Sequence, residues 1–131
     1  MGGSGPGRMG IGEFPKRGDI FLVCLDPTIG SEIRKTRPAL IISNDINNRY
    51  SSAVTVIPIT SNVEKVFPFE VLFPSAQSGL PKTSKAKCNQ VRIIEKRRLL
   101  RPLGKIPVET MREVEDALRL HLGMFFDHKP T

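Results

Sequence analysis

Arg37 is followed directly by Pro38, and that pairing gives the arginine a direction. Proline biases the residue before it toward an extended backbone, so the guanidinium projects along a defined line where a polar loop becomes a strand. A planar guanidinium can hold two oxygens of one phosphate and keeps its charge at any relevant pH. The segment it closes, residues 26–38 (DPTIGSEIRKTRP), opens on an Asp-Pro turn signal and carries Gly30, Ser31, Glu32, Arg34 and Lys35. It is too polar for core and too rich in functional groups for a plain connection. A second candidate arrives later: Thr60 ends the run VIPIT and precedes Ser61 and Asn62. A hydroxyl at a strand end can donate to a phosphate oxygen. Each residue also has an ordinary reading: Arg37 and Glu32 as solvated loop charges, Thr60 as a strand-terminal turn residue.

Other chemistries find less material. Histidine is the natural acid or base near neutral pH, but His121 and His128 lie on or beyond the C-terminal helix. There a histidine more often serves the helix dipole. Cys24 and Cys88 fall inside predicted strands and form no CxxC pair, which reads as two buried free thiols in a reducing cytosol. No Cys/His cluster has metal-ligand spacing, so neither a metal nor another cofactor is expected. The net charge of +7, with 20 Lys and Arg, suits an anionic partner such as nucleic acid. No apolar run is long enough to span a bilayer and no signal peptide is visible, so a cytoplasmic protein without membrane contact is expected.

The elements that must position these side chains follow from hydrophobic pattern. The length, 131 residues, argues for one domain with one real core. Residues 1–14 are Gly-rich and aperiodic, and read as a flexible or artificial leader outside a domain over 15–125, with 126–131 as a tail. Strands are expected at Ile20–Leu25, Pro38–Asn44, Val54–Thr60, Phe67–Phe73 and Ser84–Glu95, and Leu99–Ile106 reads as a short strand or a turn pair. Pro58 suggests that the third strand is an edge or carries a bulge. Residues 44–52 and 74–82 read as loops. In the long strand the period of two places Lys85, Lys87 and Asn89 on one face and Ala86, Cys88 and Gln90 on the other, with a bulge expected after Gln90. Pro107–Leu122 is a helix with Pro107 at its first position, Gly123 after its end, and a stripe of Met111, Val114, Leu118 and Leu122. The fold expected is mainly β with a C-terminal α-helix, as a small antiparallel barrel or strongly curved sheet.

The ordered set KRGDIFLVCLDPTIGSE, TRPALIISNDINN, VIPIT and CNQVRIIEKRRL resembles the MazF/PemK family of toxin endoribonucleases, from about Lys16 to Met124. The resemblance implies an SH3-like barrel of the MazF/Kid/CcdB kind. It also implies a homodimeric, metal-independent, sequence-selective endoribonuclease that cuts single-stranded RNA, held inactive by a cognate MazE-like antitoxin with an acidic segment.

RNA can be cut without a metal because its own 2′-OH is a nucleophile, provided the site orients it, moves two protons and stabilises phosphoryl charge. The resemblance places Arg37 and Thr60 in the catalytic site and matches Glu32 to the glutamate of its GSE motif, where it can accept or relay a proton. Arg37 is read as stabilising the transition state, because arginine is almost never deprotonated. The substrate-binding set is Ser31, Asn44, Ser61, Lys87, Gln90 and Arg92, with Gln90 matching a family glutamine. Some relatives carry an acid just before that glutamine; this chain has Asn89, which cannot act as a carboxylate base. Aromatic residues are sparse, so extended base stacking is not the main theme. Lys96, Arg97, Arg98 and Arg101 read either as an RNA-backbone contact or as a solvated turn. The alternative from another class is a non-catalytic barrel that binds a protein target, as the CcdB-like gyrase poisons do.

Overall fold

Apolar side chains on both sides of neighbouring strands set the architecture. The structure, a computed structural model, describes residues 13–25 and 35–124. Strands β1 (Asp19–Cys24), β2 (Thr36–Ile41) and β3 (Ala53–Thr60) lie side by side and antiparallel. Beyond β3 come β5 (Ser84–Lys87) and then β4 (Glu70–Phe73); beyond β1 comes β7 (Leu99–Lys105). Strand β6 (Arg92–Glu95) also pairs with β3. The result is a mainly antiparallel β-structure with a C-terminal helix, α3 (Val108–Leu122).

One face of the sheet holds Ile20, Leu40, Ile57, Ile59, Phe73 and Ala86 beneath Met111, Val114 and Ala117 of α3. The other holds Phe21, Val23, Ala39, Ile41, Val54, Val56 and Ile94. A strand covered on both faces reads as a continuous apolar run, which is how β1 and β3 read in sequence. Val114 is fully buried, and burying such a side chain is worth about 2 kcal/mol. Leu122, expected on the buried stripe, is half exposed, and Ala117 takes its place. Pro107 is the N-cap of α3 and not its first residue. At the other end Gly123 adopts φ +70°, and the Met124 amide donates to the Arg119 carbonyl at 2.8 Å, closing the helix.

Several sequence expectations need correction. Residues expected as a loop after β2 form a helix, α1 (Asp45–Tyr50), because Asn44 caps it: its side-chain oxygen accepts from the Asn47 amide at 2.8 Å. The strand expected from Phe67 begins only at Glu70. The loop after it contains a short helix, α2 (Ser75–Ser78). Pro58 lies in a central strand, not at an edge: β6 pairs with β3 as far as Val56 and β5 begins at Ile59, so Pro58 sits in the gap between two partners. The expected strand Ser84–Glu95 is broken by a 3₁₀ turn at Cys88–Gln90, so the irregularity comes at these residues and not after them.

Helix α2 rests directly on β7. A Cβ added at Gly104 would lie 1.9 Å from the Ser78 carbonyl oxygen, so only glycine permits the approach. Gly104→Ala is expected to cost roughly 2–3 kcal/mol through this backbone clash. Thermal denaturation followed by circular dichroism should show a Tm lower by about 10 °C.

Candidate active site

Strand register builds the site. On β1 and β2, Val23 faces Arg37; on β2 and β3, Ala39 faces Pro58. The same β2–β3 register, carried two residues further, sets Arg37 across from Thr60. By the period of two, Leu25, Arg37, Pro58 and Thr60 continue the rows whose earlier members are Val23, Ala39 and Val56. Apolar core therefore gives way to polar groups at one end of a single face. From the other side, Ala86 faces Ile59 and Lys85 faces Thr60, which brings Lys87 alongside Pro58. Between the Thr60–Lys85 and Val56–Arg92 pairs β3 advances four residues while its partner advances seven. The three extra residues are taken up by the 3₁₀ turn Cys88–Gln90, after which Arg92 and Ile94 return to the ladder.

These residues enclose a cleft of about 640 Å³, lined by Leu25, Lys35, Arg37, Pro58, Ile59, Thr60, Lys87, Gln90 and Arg92. Four of the nine are cations and none is an acid, so the described wall favours an anion. Arg37 is exposed, as a group that must reach a ligand has to be. The Thr60 hydroxyl oxygen accepts from the Asn62 amide at 3.1 Å. Its own proton has no acceptor among the described residues, and it is the group that can be donated to a phosphate oxygen. A second cleft, of about 350 Å³, shares Arg37, Ile59 and Thr60 with the first and adds Thr36, Pro38, Ser61, Leu80, Pro81, Lys82 and Ser84. Arg37 and Thr60 thus stand on a ridge between two cavities.

The remaining sequence candidates fall as follows. Lys87, Gln90 and Arg92 line the larger cleft and Ser61 the smaller one. Asn44 lines neither and is occupied as the cap of α1. Ser31, Glu32 and His128 lie outside the described residues. His121 is exposed in the last turn of α3 and lines neither cleft. The face assignment holds through Cys88, which is buried with Ala86, but fails at Gln90, which shares the cleft with Lys87 because the 3₁₀ turn intervenes. Burial, with the Glu70 charge adding to it, pushes the Cys88 thiol up to about 12, so it is a packing residue and no nucleophile. In the basic cluster, Lys96 donates to the Arg49 carbonyl, Arg97 pairs with Glu95 at 2.8 Å, and Arg98 donates to the Cys24 carbonyl at 3.2 Å. None of them lines either cleft. Lys35 was missed as a lining residue, although its place two residues before Arg37 is a signal that sequence offers.

Lys85 shares a strand with Lys87 yet turns away into the protein. Its ammonium meets Glu70 at 2.9 Å and also donates to the Lys65 carbonyl. Glu70 accepts in addition from the Phe67 amide at 3.0 Å. Burial alone would raise the Glu70 carboxyl, but the Phe67 amide and the Lys85 charge outweigh it and hold the group below its ordinary value of 4.5. This buried pair fastens the connection between β3 and β4, which leaves the site at Ser61.

Residues 16–122 match the family model described as PemK-like, MazF-like toxin of type II toxin-antitoxin system. The chain is 41% identical over 115 residues to endoribonuclease MazF9 of Mycobacterium tuberculosis, covering 84% of this chain and 98% of that protein. It is 36% identical over 110 residues to endoribonuclease EndoA of Bacillus subtilis, covering 83% and 95%. The crystal structure of MazE-MazF (Form-II) from Deinococcus radiodurans superposes with a TM-score of 0.72 at 28% identity, over 85% of this chain and 97% of that one. Both sequence relatives are named as endoribonucleases and neither as a gyrase poison. The match across nearly all of the folded domain, together with these relatives, shows that the chain belongs to the PemK-like, MazF-like toxin family of type II toxin–antitoxin systems.

Proposed function

We propose that this chain is a toxin endoribonuclease that cleaves single-stranded RNA by attack of the RNA's own 2′-OH, with no metal ion in the reaction. The observation that carries this is the Arg37–Thr60 ridge inside a cleft whose described charges are all positive. The guanidinium fork holds the two non-bridging oxygens of the scissile phosphate, and its fixed charge meets the negative charge that grows on them in the transition state. Thr60 donates its proton to one of the same oxygens. Lys35, Lys87 and Arg92 attract and align the flanking phosphates, while the Gln90 amide reads a base edge or positions a phosphate.

The 2′-oxygen attacks phosphorus, the bond to the 5′-oxygen breaks, and the 2′-proton passes to a base as the leaving oxygen receives one. Glu32 is assigned the proton-accepting role, because Asn89 replaces the acid that some relatives carry before the glutamine. The protein is further assigned a homodimeric state, a cytoplasmic location and an acidic antitoxin as its inhibitor. The relative crystallised as a MazE-MazF complex supports the last of these.

The test is a long single-stranded RNA incubated with purified protein in excess EDTA. Discrete bands are expected; an intact RNA that is cut only when a divalent cation is restored would overturn metal independence. Binding to an uncleavable RNA should weaken as salt rises. Lys87→Ala and Arg92→Ala should each lower the slope of log Kd against log salt by about 0.7, the value for one phosphate contact on a single strand.

A further inference from the structure

We propose that Lys85 and Glu70 are positioning residues for Thr60: they hold the connection between β3 and β4 so that the Thr60 hydroxyl keeps one orientation. The inference rests on the nuclease reading above and adds what orders one of its two catalytic groups. Both residues are buried, and neither lines either of the clefts that meet at Thr60. Any effect they have on cleavage must therefore pass through another residue.

Thr60 is the last residue of β3, and strand pairing fixes its backbone opposite Lys85. Pairing does not choose among the staggered positions of its side chain. The segment that follows does. The Asn62 amide donates to Thr60 Oγ1 at 3.1 Å, and the Asn62 side-chain oxygen accepts from the Glu64 amide at 3.3 Å. That turn stays in place while the residues beyond it do. Ser61, Asn62 and every residue from Glu64 to Pro68 are exposed, so packing holds little of it. The far end is fastened by the buried pair. The Lys85 ammonium donates to the Lys65 carbonyl and meets Glu70 at 2.9 Å, and Glu70 accepts from the Phe67 amide at 3.0 Å. Among the described residues, the hydrogen bond from Lys85 is the one tie of residues 61–69 to a strand other than β3 and β4. Lys85 thus stands at both ends of the connection, its backbone beside Thr60 and its ammonium on Lys65 and Glu70. A buried ion pair often adds no more stability than apolar residues of its size would. What this one adds is a fixed geometry for the segment that orients Thr60.

Lys85→Met alone would orphan the Glu70 charge and unfold part of the population, so the experiment uses the full-length Glu70→Gln/Lys85→Met variant, its fold checked by circular dichroism. Single-turnover cleavage of a defined RNA should slow about tenfold, while Kd for an uncleavable RNA changes by less than about twofold. The same two substitutions placed in Thr60→Val should cause no further loss, because the hydroxyl they orient is gone. An unchanged rate, or an equal loss in both backgrounds, overturns the inference. So does a loss confined to binding, which would put the effect on Lys87, the cross-strand partner of Glu70. A second measurement does not depend on cleavage. NMR order parameters of the Asn62 and Glu64 amides should fall from about 0.85 in the wild type to below about 0.6 in the variant. Equal values in the two proteins would also overturn the inference. An RNA left intact by the wild type, with that fall present, would sink the nuclease reading and leave the tether standing.

Discussion

Arg37→Ala will lower RNA cleavage by a factor of about 10³ or more while leaving the fold intact, because it removes the guanidinium proposed to grip both non-bridging oxygens as charge develops on them. The side chain is exposed at the end of β2, and its backbone keeps its place opposite Val23, so the circular dichroism spectrum and Tm should match the wild type. Arg37→Lys should recover only part of the rate, since a point charge replaces a planar fork. Thr60→Val, which keeps the shape and deletes the donated proton, should cost less, about 10- to 100-fold. Cleavage by Arg37→Ala at the wild-type rate would remove the catalytic assignment altogether.

The largest effect on stability is expected at Lys85. Its side chain is 9% exposed and that of Glu70 only 3%, and the two meet at 2.9 Å. Lys85→Met leaves the Glu70 carboxylate buried without its counter-charge, which costs about 3–5 kcal/mol. The double variant Glu70→Gln/Lys85→Met carries no orphaned charge and should regain much of that loss in urea denaturation, although the Lys65 carbonyl still loses its donor. The same pair gives acid sensitivity a direction. Because the folded state holds Glu70 below its ordinary value of 4.5, its ionised form adds stability that is fully present above that value. The contribution disappears as pH falls through the lower, folded-state value. The difference in urea midpoint between wild type and Glu70→Gln should therefore be widest near neutral pH and shrink in acid. A gap that stayed constant down to strongly acidic pH would rule the pair out as its source.

Strong local chemistry made much of this legible in sequence. Apolar runs located β1, β2 and β3, the segment of β7 had read as either a short strand or a turn pair, and the Pro107–Gly123 punctuation bounded α3 to within a residue. Arg37 and Thr60 stood out as candidates because each sits at a strand end in a polar setting and the family resemblance singles them out; the strand register sets them across from each other. Most of the misses depend on tertiary pairing. Nothing local in Cys88-Asn89-Gln90 marks a break; the turn exists because the chain must take up three residues between two stations on β3. Pro58 is tolerated centrally because the partner changes beside it. Helix α1 was hidden by its polarity: Asn44 resembles a loop residue and is a cap. The second cleft could not be foreseen, because Leu80 and Lys82 reach Thr36 only after β4 and β5 have paired.

The order in which the cleft's residues leave the ribosome has a consequence. Arg37 and Thr60 are made early, but Lys87, Gln90 and Arg92 come later, and β1 gains its second neighbour only when β7 has been synthesised. With such distant pairings the sheet cannot be completed from its N-terminal half. A nascent or prematurely terminated chain ending before Lys87 would carry the proposed catalytic pair without three of the residues that line the larger cleft beside it. RNA cleavage would then begin only with completed chains.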